Sequence, residues 1–270
     1  TLIFASYTGS AASNWGFTAT PGPGGTFYAG GISFGTGYPV SVGAYQTTYG
    51  GGGTTDPNGG YDMAFFKFSA DGALRLFATY VGGSFDEQPH SMIVDSKNNL
   101  LVMGTTKSSD FPIGIAPAFA DSHNGLSDIF VVKFSEDGSQ LLSGTFVGGT
   151  GFDGLNGDRP SNNTSALLYN YADDFRGEII VDDLDNVFVA SSTTSSDFPT
   201  LNAFDPSYNG RLDGCVFKLS SDLSAMVFGS YIGGVSDDAG YGLDLGLYSD
   251  LYITGGSNSS SFGYTCPGLK

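Results

Sequence analysis

Carboxylates are the reactive groups this chain has in quantity, with 27 Asp and Glu against 10 Lys and Arg. Asp86, Asp153, Asp237 and Asp238 each follow closely on a glycine pair. If those loops share a direction, the four acids meet near one rim and supply the oxygen ligands that calcium takes. They are the candidate calcium ligands, and no other cofactor is expected. The competing reading has each acid accept hydrogen bonds from nearby loop amides, as Asp does in turns. Asp182-Asp183-Leu184-Asp185-Asn186 has the composition of a calcium loop but lacks the Gly and the closing Glu of an EF-hand. Its counterpart Asp95-Ser96-Lys97-Asn98-Asn99 has a Lys at the centre, so both segments read as hairpin turns.

Nucleophilic chemistry has little to work with. His90 and His123 are the two histidines, and neither sits in a recognisable Ser/His or Cys/His motif. Cys215 lies within an apolar run and reads as a small buried side chain, while Cys266 falls in an irregular tail. A bond between them needs a Cα approach that sequence does not supply, and no spacing suits zinc. The Gly-rich stretch 49–60 has no Gly-Lys-Ser/Thr behind it and is no phosphate cradle. A chain without a catalytic constellation is expected, and therefore no enzyme.

A binding role has a better candidate. The stretch from Thr150 to Arg176 is an insertion, because Gly149 to Asp182 spans 33 residues where Gly83 to Asp95 spans 12. It contains Arg159, Tyr169, Tyr171, Asp173 and Asp174, and Tyr and Arg are enriched at binding hot spots. Loops held on a rigid scaffold often carry function, so these five residues form the candidate interaction loop.

The elements that would position these residues repeat along the chain. Tyr7-Thr8-Gly9, Tyr80-Val81-Gly82-Gly83, Phe146-Val147-Gly148-Gly149 and Tyr231-Ile232-Gly233-Gly234 are four anchors. Asp62, Asp128 and Asp213 each precede a Lys by five residues across a mostly apolar run. Turns follow at Asp71-Gly72, Asp137-Gly138 and Asp222-Leu223, and a strand then runs to the next anchor. Leu2 to Tyr7 is the equivalent of that last strand at the start. Two further strands flank a short turn, such as Met92 to Asp95 and Leu100 to Gly104. Four strands per unit predict an all-β fold of β-propeller blades, with about four repeats over 1–72, 73–138, 139–223 and 224–270, the last incomplete. Residues 1–270 read as a single propeller, partial or four-bladed, with part of a larger propeller in a longer chain as the favoured expectation.

Tyr80-Val-Gly-Gly, the hairpin Ile93 to Leu100, Ser108-Ser109-Asp110-Phe111-Pro112 and Asp128-Ile129-Phe130-Val131-Val132-Lys133 together resemble the SBBP, or seven-bladed β-propeller-type, repeat. Ser195-Ser196-Asp197-Phe198-Pro199 repeats the motif, whereas Gly37-Tyr38-Pro39 and Ser261-Phe262-Gly263 depart from it. The resemblance implies a large bacterial exported or surface protein, of the kind carried by type IX secretion in gliding bacteria.

A net charge of −17 repels phosphate backbones and anionic lipid, which excludes nucleic acid as a partner. No apolar run reaches the length of a membrane span. The expected function is a non-enzymatic extracellular or cell-surface scaffold for adhesion or assembly, with a protein or a surface glycan as partner. The alternative is a carbohydrate-binding or carbohydrate-cleaving propeller, suggested by 15 Tyr and the many carboxylates.

Overall fold

The computed structural model describes residues 4–5, 8–51, 60–156, 167, 173–247 and 250–261. The chain is all-β. Strands β1 (Asn14–Pro21), β2 (Phe27–Ser33), β3 (Asp62–Phe68) and β4 (Arg75–Val81) form an antiparallel meander. A second comprises β5 (Glu87–Val94), β6 (Leu100–Thr106), β7 (Asp128–Phe134) and β8 (Leu141–Val147). The third comprises β9 (Glu178–Val181), β10 (Val187–Thr193), β11 (Asp213–Leu219) and β12 (Met226–Ile232), and β13 (Asp238–Leu245) pairs with β14 (Leu251–Ser257) in a fourth, two-stranded sheet. The second and third sheets each run from one glycine pair to the next. The register 1–72, 73–138, 139–223 and 224–270 therefore divides each blade at the hairpin between its third and fourth strands.

The blades stack face to face. β5 packs on β1, β2 and β3, β9 packs on β5 and β6, and β13 packs on the four strands of the third sheet. Alternation along β7 shows why its run from Ile129 to Val132 is apolar throughout. Phe130, Val132 and Phe134 join a core with Tyr28, Met63 and Phe65 of the first blade, whereas Ile129 and Val131 join a core with Val189, Cys215 and Phe217 of the third. A strand buried on both faces cannot alternate apolar with polar residues.

The Lys that ends this run ties the first blade to the second and the second to the third. Lys67 Nζ reaches Glu136 Oε1 at 3.1 Å in the turn of the second blade, and Lys133 Nζ reaches the Ser221 carbonyl at 2.6 Å in the turn of the third. Lys133 also pairs with the buried Asp95 at 3.3 Å, and Lys218 with Asp182 at 3.0 Å. Asp95 and Asp182 further cap their own turns by accepting the Asn99 and Asn186 amide protons at 2.8 Å. The two segments with calcium-loop flavour are thus hairpins closed by their own first Asp.

The turns after the Lys also face a neighbouring blade. Gly72 and Gly138 have φ 69°, and Leu223 takes φ 64° at the same place. Left-handed backbone costs a non-glycine residue about 1–2 kcal/mol. Leu223 is fully buried in the core between the second and third blades, and full burial of a leucine returns about 1.5–3 kcal/mol. Gly138 lies against the ring of Phe77 on β4, and Gly72 lies in the same way against the ring of Phe4. Phe4 also stacks on Phe27 at 5.4 Å. Phe4 therefore stands to the first blade as Phe77 stands to the second.

Candidate functional site

Two kinds of site emerge, one repeated at every junction between blades and one present once. The repeated site is built around the glycine pairs. Glu87, Asp153 and Asp238 each come five residues after Gly82, Gly148 and Gly233, and each caps the second glycine of its pair. Gly83 N–H donates to Glu87 Oε2 at 2.9 Å, Gly149 N–H to Asp153 Oδ2 at 2.7 Å, and Gly234 N–H to Asp238 Oδ2 at 2.7 Å. Hydroxyls complete the cage. Thr106 and Ser108 donate to Glu87, Thr193 and Ser195 to Asp153, and Ser259 to Asp238.

A second acid faces the first across the glycine. Asp62, Asp128 and Asp213 open the third strand of their blades and are buried. Each accepts a loop amide on Oδ2, from Gly50 at 2.7 Å, Asn124 at 2.7 Å and Asn209 at 2.8 Å. Each leaves Oδ1 without a hydrogen-bond partner among the described residues. A Cβ on Gly82 would stand 2.7 Å from Asp62 Oδ1 and 2.6 Å from Glu87 Oε2. Gly148 is wedged likewise between Asp128 and Asp153, and Gly233 between Asp213 and Asp238. Only a residue without a side chain fits between the two carboxylates.

Burying two like charges this close disfavours ionising both. Burial pushes the Asp62 carboxyl up to about 7 and the Glu87 carboxyl up to about 8, where the Asp62 charge adds to the effect. Burial likewise raises Asp128 to about 7, assisted by Asp153, and Asp153 itself to about 6. Asp213 rises to about 6, from burial first and then the Asp238 charge. The junctions hold protons near neutral pH and have the makings of a structural latch.

The site present once lies at the ends of β5 and β6. Tyr61, Asp86, Gln88, Lys107, Asp174 and Phe175 line a partly open cleft of about 160 Å³. Lys107 Nζ stands 4.0 Å from Asp86 Oδ2, and the Tyr61 hydroxyl donates to Gln88 Oε1 at 3.4 Å. The Gln88 amide nitrogen is buried and has no hydrogen-bond partner among the described residues. Behind it, His90 is buried against Thr105 at 3.1 Å, and burial lowers its pKa to about 3, so the ring is neutral.

The insertion supplies the far wall. Asn156 anchors it by donating from Nδ2 to the Asp173 carbonyl at 2.7 Å and accepting the Ser192 hydroxyl at 2.5 Å. Arg176 Nε pairs with Asp173 at 2.7 Å. Phe175 is thereby set over the cleft, edge-on to Phe17 of β1 at 5.9 Å. Of the candidate interaction loop, Asp174 lines the cleft and Asp173 is a buried brace, while Arg159, Tyr169 and Tyr171 lie outside the described residues.

The four candidate calcium ligands fall into two register classes on successive junctions. Asp153 and Asp238 are latch acids, whereas Asp86 and Asp237 precede the latch position, and their carbonyls accept from Lys107 and Asn258. Among the described residues no three His, Cys, Asp or Glu side chains converge as metal ligands would. Glu87, the latch acid of the second blade, escaped the sequence reading in favour of its neighbour Asp86. The signal was available: latch acids follow Asp62, Asp128 and Asp213 by a constant 25 residues. Cys215 is buried on β11, and Cys266 lies outside the described residues.

Four-stranded antiparallel meanders, stacked face to face and joined by the same latch each time, define a repeat protein built of β-propeller blades. Residues 76–112 match the SBBP family, described as a beta-propeller repeat. The matched span carries all but the first residue of β4, the Gly82-Gly83 latch, β5, β6 and the Asp110-Phe111-Pro112 run. No curated protein matches the chain. The repeat is a structural family, not a catalytic one.

Proposed function

We propose that the chain is a non-enzymatic scaffold displayed outside the cell or on its surface, where it supports adhesion or protein assembly. The observation that carries this reading is how its polar residues are used. The acids, serines and glycines common to the blades hold one blade to the next, and a cluster of polar residues that the other blades lack lines the cleft. A stack fixed in this way presents its loops rigidly. The net charge of −17 suits an exported protein that must stay soluble. Export by the type IX route, and protein partners as the main targets, belong to the same reading and rest on the resemblance to exported repeat proteins.

Deleting the encoding segment from its source cells is expected to reduce their attachment to a surface or to one another, with restoration when the segment is returned. Attachment unchanged by the deletion, in cells shown to make the protein, would sink the adhesion reading.

A further inference from the structure

We infer that the cleft at the ends of β5 and β6 binds one neutral saccharide ring, such as the terminal sugar of a surface glycan. Three observations carry the inference. The first is that the cleft is made of departures from the repeat. The position of Gln88 holds Trp15 in the first blade and Ala239 in the fourth, and that of Lys107 holds Phe34, Thr194 and Asn258 elsewhere. Tyr61 takes the place of Ser127 and Leu212. Residues needed for stacking the blades recur in each, so a cluster unique to one junction calls for another cause.

The second is size. A closed cavity near 150 Å³ holds benzene, so this partly open cleft of about 160 Å³ has room for one sugar ring inserted part-way. The third is the chemistry of the lining. Tyr61 and Phe175 offer aromatic rings, Gln88 an amide nitrogen without an acceptor among the described residues, Lys107 a donor, and Asp86 and Asp174 acceptors. Adjacent sugar hydroxyls each donate and accept, which matches donors and acceptors mixed within so small a space. The two carboxylates outnumber the Lys107 ammonium and disfavour an anionic ligand, whereas the hydroxyls of a neutral sugar use the donors and the acceptors of the lining alike.

The inference stands apart from the scaffold reading, because it concerns binding by the chain alone. The test is saturation-transfer NMR on the 270-residue chain with millimolar neutral hexoses and their methyl glycosides, alongside glucuronate, glucosamine and free lysine. Transfer to at least one neutral sugar is expected, with at least a tenfold weakening in Gln88→Met and in Lys107→Met. The Lys107 side chain is one-third exposed, so its substitution leaves the fold intact and keeps the test decisive if Gln88→Met is unstable. Transfer to no neutral sugar, preference for the charged probes, or binding untouched by both substitutions would overturn the inference.

Discussion

Gly104→Ala is expected to destabilise the chain by about 3 kcal/mol or more, at the upper end of what overpacking a core costs. In the first, second and fourth sheets the first strand bulges, with register shifts at Gly16/Thr18, Pro89/Ser91 and Gly240/Gly242. Each bulge pushes a backbone carbonyl, of Trp15, Gln88 or Ala239, onto the Cα of a glycine on the second strand. At Gly104 a methyl group would overlap the Gln88 carbonyl and also stand 2.6 Å from the Phe130 ring. A backbone carbonyl held in a strand cannot step aside, so the bulge itself must be dismantled. The third blade supplies the control. β9 begins at Glu178, opposite Ala190, and forms no such bulge, and Ser191 stands where the others have glycine. The Ser191 hydroxyl is buried without a partner among the described residues, so Ser191→Ala is expected to change stability by less than about 1 kcal/mol. Urea denaturation of both variants makes the comparison, and equal midpoints would contradict the bulge as the cause.

Stability is expected to fall by several kcal/mol between about pH 5 and pH 9, the reverse of the trend that salt-bridged carboxylates produce. Asp62, Glu87, Asp128, Asp153 and Asp213 ionise in the folded chain at about 6 to 8, well above ordinary carboxylates. The folded state thus binds more protons than the unfolded one, and the latches contribute fully below the ordinary carboxylate range. Their contribution is lost as pH rises through the folded values. One unit of displacement corresponds to about 1.4 kcal/mol, and coupling between partners keeps the total below the simple sum. At the acid end the sign reverses. Hydrogen bonds from Ser69, Ser84, Ser135 and Ser220 hold Asp71, Asp110, Asp137 and Asp222 below the ordinary range. That help is lost as pH falls through their depressed values, so the optimum lies near the ordinary carboxylate pKa of about 4. Asp128→Asn reproduces the uncharged form of one latch, with an amide nitrogen available where Oδ1 has no partner among the described residues. This variant is expected to exceed the parent chain in stability at pH 8 and to flatten the profile. A parent chain that grows more stable from pH 5 to pH 9 would rule out proton-holding latches.

Most of the blade architecture was legible because its causes are local. The apolar run between Asp128 and Lys133 reports burial on both faces, and Asp137-Gly138 reports a left-handed turn. The first half of β5 was harder to see, since Glu87, Gln88 and His90 are polar and their burial comes from cages and bulges made by other strands. The sequence reading accordingly began that strand at Met92. Asp62, Asp128 and Asp213 stood out as landmarks of the repeat, but their pairing with a second acid appears only when the register closes a loop of 25 residues. The cleft had no motif to betray it. Tyr61, Gln88, Lys107 and Phe175 come from four separated segments, and what unites them is a failure to repeat. Aligning the blades on their glycine pairs would have exposed that failure without a structure.

Display outside the cell is the central claim, and an immunoblot of intact source cells, with and without external protease, addresses it most directly. Loss of the band on protease treatment, while a cytoplasmic marker survives, is the expected result. A band protected in intact cells and digested only after lysis would contradict surface display and the adhesion role built on it.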